Sequence, residues 1–287
     1  IVDIPGLVIQ DPTEGTQLPV GENTITLNTI DGSGNSSACT VTVTVNDTEA
    51  PVAVCPATIA DVSLDASGNG TLPANIGDGS STDNCDSPPT ETSPSQSYTC
   101  DDLGEQSVTL TATDGSDNDH TTTCTFTVVD IIDPVAVCPA TIADVSLDAS
   151  GNGTLPANIG DGSSTDNCDS PPTETSPSQS YTCDDLGEQS VILTATDGSD
   201  NDHTTTCTFT VVDIIDPVAV CPATIADVSL DADGNGTLAA NIGDGSSTDN
   251  CDSPPTETSP SQSYTCDDLG EQSVPLTATD GSDNDHT

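Results

Sequence analysis

An internal repeat constrains this chain more than any other feature. The segment Pro51-Val52-Ala53-Val54-Cys55-Pro56 returns at Pro134 and again at Pro217. The cysteines keep the same step: Cys138 minus Cys55 and Cys221 minus Cys138 both give 83. Few letters differ between copies. Thr109 becomes Ile192 and then Pro275, Ser67 and Ser150 become Asp233, and Pro73 and Pro156 become Ala239. Solenoid repeats run about 20–50 residues, so this period is too long for one. It suits a small domain with its own core. Full modules are therefore expected over 50–132 and 133–215. A module lacking its last strand is expected over 216–287, and a partial one over 1–49, where Thr26 to Asp47 aligns with Thr109 to Asp130.

The text of one module is β text. Val52 to Cys55 and Ile59 to Leu64 alternate, Thr71-Leu72 opens a further strand, and Ser107 to Thr113 and Thr121 to Val129 alternate with period two. Turn clusters separate them at Asp65 to Gly70 and Asp114 to Asp119, and residues 77–97 are the longest irregular stretch. No segment has helical periodicity. Many short strands at this spacing predict an all-β chain of tandem antiparallel β-sandwich modules.

Charge narrows the function classes. The chain has 48 Asp and Glu residues and no Lys or Arg, a formal charge of −48. Nothing is present to neutralise phosphate, so nucleic acid is excluded as an ordinary partner, and docking on anionic lipid is disfavoured. No run of about 18 apolar residues predicts a membrane span. Neither an initiator Met nor a signal peptide is present, as expected for the interior of a longer secreted product. Only 2% of residues are aromatic, so each core is built from Val, Ile, Leu, Ala and Thr. Cores this thin call for covalent or metal staples.

The twelve cysteines follow the repeat, with Cys55, Cys85, Cys100 and Cys124 in the first full module. Even, regular cysteines in a small β-module indicate disulfides and an oxidising compartment. Zinc would show Cys-x-x-Cys knuckles, and there are none. Four cysteines allow three pairings. The partial first module keeps Cys39, the counterpart of Cys124, and lacks both middle cysteines, so those two are expected to pair. This predicts Cys55–Cys124 with Cys85–Cys100, Cys138–Cys207 with Cys168–Cys183, and Cys251–Cys266. A Cys124–Cys138 bridge is disfavoured, because an extended linker of that length spans up to roughly 45 Å. Cys39 and Cys221 are left for an intermolecular bond or one outside this stretch of chain. Strand donation from Ala38–Val45 into the open last module, linking copies head to tail, is one way to use them.

Four motifs then carry a resemblance. Cys55-Pro56, Asp83-Asn84-Cys85, Leu110-Thr111-Ala112-Thr113-Asp114-Gly115 and Cys124-Thr125-Phe126-Thr127-Val128 resemble the HYR (hyalin-repeat) family of immunoglobulin-like modules, and especially the tandem repeats of giant bacterial cell-surface proteins. The resemblance covers essentially the whole chain. It implies an immunoglobulin-like sandwich and an extracellular adhesive or spacer role. Total absence of Lys and Arg departs from it.

In such a sandwich the first and last strands run parallel, which brings three acidic segments to one pole of each module. These are the incoming linker, the loop holding Asp78, Asp83 and Asp86, and the turn before the last strand. The predicted ligands are Asp47, Glu49, Asp83, Asp114, Asp117 and Asp119 at the first junction. At the second they are Asp130, Asp133, Asp166, Asp197, Asp200 and Asp202, and at the third Asp213, Asp216, Asp249, Asp280, Asp283 and Asp285. An all-oxygen set on irregular loops suits Ca²⁺, which takes 6–8 oxygens, better than Mg²⁺. Calcium at the inter-module junctions is thus the expected cofactor. Read without it, these residues are turn formers and solvating charge.

The remaining candidates are weaker. His120, His203 and His286 are one residue repeated and read as exposed turn positions. No nucleophile-elbow context or triad is present, and abundant carboxylate pairs are no sign of a glycosidase, so no enzyme is expected. Sequons mark Asn35, Asn46, Asn69, Asn152 and Asn235 as glycan acceptors. The leading expectation is an extracellular stalk or filament whose partners are further copies of the module. An adhesive module for surface glycan or protein, and accessory repeats of a secreted enzyme, are the alternatives.

Overall fold

The computed structural model describes residues 7–85 and 88–287. The acidic loop residue Asp86 lies outside them. The chain divides into two compact units, ending and beginning at Ile131 and Ile132. Among the described residues there is no α-helix, only strands and three short 3-10 turns.

The first unit opens with an antiparallel meander of β1 (Leu7–Asp11), β2 (Gly21–Ile30) and β3 (Ser36–Val45). Its apolar side chains stay largely open to solvent, Val8, Ile9 and Val41 among them. The module that follows holds β4 (Val62–Ser63), β5 (Asn69–Leu72), β6 (Thr90–Thr92), β7 (Gln96–Thr99), β8 (Gly104–Thr113) and β9 (Asp119–Val129). They form a four-stranded sheet in the order β4-β9-β8-β6 and a two-stranded sheet β5-β7. Strand β4 pairs parallel to β9, and every other pairing in the module is antiparallel.

Period two decides which residues go inside. Along β8, Val108, Leu110 and Ala112 are buried, and along β9, Cys124, Phe126 and Val128. The threonines between them face outward. Tyr98 of β7 meets Phe126 edge-on, with ring centroids 5.4 Å apart, joining the two sheets. With so few rings in the chain, this pair supplies much of each core's bulk.

The second unit repeats these elements 83 residues later: β10 (Val145–Ser146), β11 (Asn152–Leu155), β12 (Thr173–Thr175), β13 (Gln179–Thr182), β14 (Gly187–Thr196) and β15 (Asp202–Val212). Its core gathers Val145, Leu147, Leu155, Tyr181, Val191, Leu193, Cys207, Phe209 and Val211. The last stretch keeps β16 (Asn235–Leu238), β17 (Thr256–Thr258), β18 (Gln262–Thr265), β19 (Thr277–Thr279) and β20 (Asp285–His286). Residues 271–276, which match the start of β14 in sequence, are not in a strand here. They have no counterpart of β15 to pair with.

The early strands are shorter than the sequence suggests. Val52 makes only an isolated bridge to Thr82, and of residues 59–64 only Val62 and Ser63 join the sheet. Pro51 and Pro56 bracket the first stretch and cannot donate to a ladder.

One carboxylate holds the irregular stretch. Glu91, on β6, accepts Gly79 N–H at 2.7 Å and Ser81 N–H at 2.9 Å, one on each oxygen. Glu174 and Glu257 do the same for Gly162 with Ser164 and for Gly245 with Ser247. The loop wraps so closely that a Cβ on Gly77 would lie 2.1 Å from a Glu91 oxygen, so only glycine fits there. Burial alone raises the pKa of Glu91 and Glu174, but donors on Ser81 and Gly79, and on Ser164 and Gly162, outweigh it and hold both below the ordinary 4.5. Because the folded pKa is depressed, this stabilisation is complete above that value and is lost as pH falls through the lowered one. Glu174→Gln is expected to lower the melting temperature of the second unit at pH 7, at a cost of about 1.5–3 kcal/mol for a lost charge-assisted bond. In a calorimetric pH series the gap between variant and parent should close below the ordinary glutamate range.

Candidate metal centre

Asp47, Asp83 and Asp114 come together in the first unit, and Asp213, Asp249 and Asp280 in the second. In each set, one carboxylate oxygen per residue lies within 4.8 Å of the others. The three members come from the three segments expected: linker, loop and the turn before the last strand. Asp130, Asp166 and Asp197 are their equivalents in sequence in the intervening repeat, and Asp130 and Asp197 are buried.

Local chemistry builds each member. Asp280 closes its turn by accepting Ser282 N–H and Asn284 N–H on Oδ1 and the Asn284 side-chain amide on Oδ2. Asp114 makes the same bonds with Ser116 and Asn118. Burial raises the Asp114 pKa, but the Asn118 and Ser116 donors outweigh it and leave it below the ordinary carboxylate value. The turn's asparagine then reaches the linker: Asn118 Nδ2 donates to the Asp47 carbonyl at 3.3 Å, and Asn284 Nδ2 to the Asp213 carbonyl at 3.2 Å. Asp249 uses Oδ2 to accept Cys251 N–H and Asp252 N–H. Asp213 uses Oδ1 to accept Ile215 N–H and Asn250 Nδ2–H, each at 3.1 Å.

What remains is diagnostic. Asp213 is only 5% exposed, yet its Oδ2 has no hydrogen-bond partner. Asp249 Oδ1 and Asn250 Oδ1 are likewise buried and unpartnered, as is Asp47 Oδ2 in the first unit. A buried charged oxygen without a donor is costly, and a chain without Lys or Arg has no internal cation to offer. An oxygen-only donor set of this kind fits a hard divalent cation.

Other predicted ligands do different work. Asp117 and Asp283 are exposed at φ 68° and 65°, the left-handed position of their turns. Asp200 holds the same position at φ 65°. Asp119, Asp202 and Asp285 accept the hydroxyls of Thr113, Thr196 and Thr279. Glu49, Asp133 and Asp216 are exposed on linkers and belong to none of the clusters. Sequence reasoning missed Asn118, Asn284, Asn250 and the Glu91 series. A usable signal was present, since Asp followed four residues on by Asn recurs at Asp31–Asn35, Asp65–Asn69 and Asp114–Asn118. The histidines are exposed, as read, but they lie in strands β9, β15 and β20 rather than in turns, and each accepts a backbone N–H. His120 Nδ1 accepts Ala53 N–H at 3.0 Å, and His203 Nδ1 accepts Ala136 N–H at 3.1 Å, so the ring anchors the incoming segment. Sequon residues Asn35, Asn46, Asn69, Asn152 and Asn235 are all exposed.

The disulfides require a correction. Cys55–Cys124 and Cys138–Cys207 join the first segment of each module to its last strand. The loop-closing pairs Cys168–Cys183 and Cys251–Cys266 do not form, because Cys183 bonds Cys251 of the following repeat. Cys100 and Cys168 are also disulfide-bonded, and Cys85–Cys100 is not among the described pairs. The reason is position. Cys183 begins the 3-10 turn after β13 and packs on Gly151 at φ 72°, where a Cβ would lie 2.6 Å from its sulfur and 3.2 Å from the Asn250 carbonyl. The glycine turn thus makes a seat for the next repeat's Asp249-Asn250-Cys251 loop. Cys39, Cys221 and Cys266 are exposed thiols.

Residues 1–45 match the family model of the HYR domain, which makes that segment a HYR segment. No curated protein matches the chain. Among solved structures, the chain is similar to a Ca²⁺-stabilized adhesin that helps an Antarctic bacterium reach out and bind ice, with 15% identity, TM-score 0.29, and coverage of 93% of this chain and 79% of that one. It is also similar to a Bacteroides ovatus protein, SGBP-B of a mixed-linkage glucan utilization locus, solved with a mixed-linkage heptasaccharide. That match has 15% identity and TM-score 0.15, and covers 73% of this chain but only 60% of the other. The HYR segment, the disulfides and the all-β build agree with an extracellular or cell-surface chain.

Peptide mapping under non-reducing conditions should recover a Cys183–Cys251 cross-link. A Cys168–Cys183 peptide in its place would contradict the seat described here.

Proposed function

We propose that this chain is a structural, extracellular stalk or filament of immunoglobulin-like modules whose junctions are stiffened by Ca²⁺. The observation that carries the reading is the buried, partnerless Oδ2 of Asp213, set among carboxylates from a loop and a turn. Asp213 belongs to the linker, Asp249 to a loop and Asp280 to a turn of the module that follows. A cation held by all three ties the linker to the module crown, and supplies the positive charge the chain lacks. Asp47, Asp83 and Asp114 are the corresponding set in the first unit. The exposed sequon asparagines make glycans a compatible decoration.

The geometry favours this reading over an adhesive one. Glycan sites often use exposed aromatic platforms, whereas Tyr98, Tyr181, Phe126 and Phe209 are buried in cores and Tyr264 is half-buried.

Calcium is expected to raise the melting temperature and the maximum dimension seen by small-angle scattering, with a strong chelator reversing both. Asp213→Asn should blunt the response, and Mg²⁺ should reproduce it poorly. If neither quantity responds to chelation, the junction reading is wrong.

A further inference from the structure

We propose that the Cys183–Cys251 disulfide and the Asp213–Asp249–Asp280 site are thermodynamically linked, so that the covalent bond between repeats sets the affinity for the cation and the cation protects the bond from reduction. The inference rests on the calcium reading above and adds a control to it.

Three consecutive residues make the connection. Asp249 belongs to the cluster, and its Oδ1 is buried without a hydrogen-bond partner. Its other oxygen is fixed by Cys251 N–H at 2.9 Å, so the disulfide residue orients the carboxylate. Between them, Asn250 donates from Nδ2 to Asp213 Oδ1 at 3.1 Å and to the Asp148 carbonyl of the preceding repeat at 3.2 Å. Cys251 is bonded to Cys183, whose sulfur lies 3.5 Å from the Asn250 carbonyl. The loop therefore carries a site carboxylate at Asp249 and the inter-repeat bond at Cys251, with Asn250 alone between them. Pinning Cys251 to the Gly151 seat removes loop freedom that cation binding otherwise has to remove, which raises affinity through preorganisation. Reduction undoes this. A dithiol transfers two electrons and two protons to the Cys183–Cys251 bond, leaving two thiols, and itself closes to a disulfide.

Linkage is reciprocal, and coupling of this kind typically amounts to about 5–150-fold. Hydrogen exchange of the full chain, followed as Ca²⁺ is titrated, reads each site locally. In Cys183→Ser/Cys251→Ser, the Ca²⁺ midpoint for protection of residues 249–252 should rise about tenfold. The midpoint at residues 114–118 should stay put. Equal midpoints at 249–252 in parent and variant overturn the linkage while leaving the calcium reading intact. Absence of Ca²⁺-dependent protection at both sites in the parent removes the calcium reading, and the linkage with it. The unmutated protein gives a second arm that does not depend on the variant folding. Saturating Ca²⁺ should slow reduction of Cys183–Cys251 by dithiothreitol far more than that of Cys138–Cys207. Identical slowing of both bonds, or of neither, counts against the proposal.

Discussion

Negative charge without any internal counter-charge is the constraint on which this structure depends. With 48 Asp and Glu side chains and no Lys or Arg, no salt bridge to a Lys or Arg side chain is available anywhere in the chain. Every carboxylate must face water, accept hydrogen bonds from amides and hydroxyls, or bind a cation from solution. The first two solutions are seen directly, and where each occurs decides the local fold; the third is the one proposed above for the buried oxygens. Exposed aspartates on linkers take the first. Turns such as Asp114 to Asn118 and the Glu91 loop take the second, turning a charge into the element that closes the backbone. Asp213 and Asp249 have amide donors on one oxygen and none on the other, which leaves the third.

The thin cores raise the importance of these polar closures. Each complete module rests on one edge-on Tyr–Phe pair, a handful of Val and Leu residues, and one disulfide joining the first segment to the last strand. A further covalent tie, Cys183–Cys251, joins one repeat to the next. There the Asp249-Asn250-Cys251 loop carries one carboxylate of the cluster and one half of the inter-repeat disulfide, and it packs on the glycine turn of the preceding repeat.

Much of this was legible in the sequence. Period-two alternation over Ser107–Thr113 and Thr121–Val129 located β8 and β9, and the turn clusters separated them. The convergence of Asp47, Asp83 and Asp114 followed from a parallel first and last strand. The disulfide partner of Cys183 was not legible, for a specific reason. Cys168 and Cys251 sit in identical Asp-Asn-Cys contexts, so sequence alone cannot distinguish a partner in the same repeat from one in the next. What distinguishes Cys183 is the next repeat's Asn250-Cys251 loop lying against the same Gly151 turn. The choice among acidic residues was hidden in a similar way. Asp114 and Asp117 stand in one turn, but the first closes the turn and the second occupies its left-handed corner.

Anomalous diffraction from crystals grown with Ca²⁺, or with a lanthanide in its place, tests the central claim most directly. The account predicts a peak bonded to oxygens of Asp213, Asp249 and Asp280, at about 2.3–2.6 Å for calcium. Well-ordered aspartates with water alone among their buried oxygens, in crystals saturated with the ion, would contradict it.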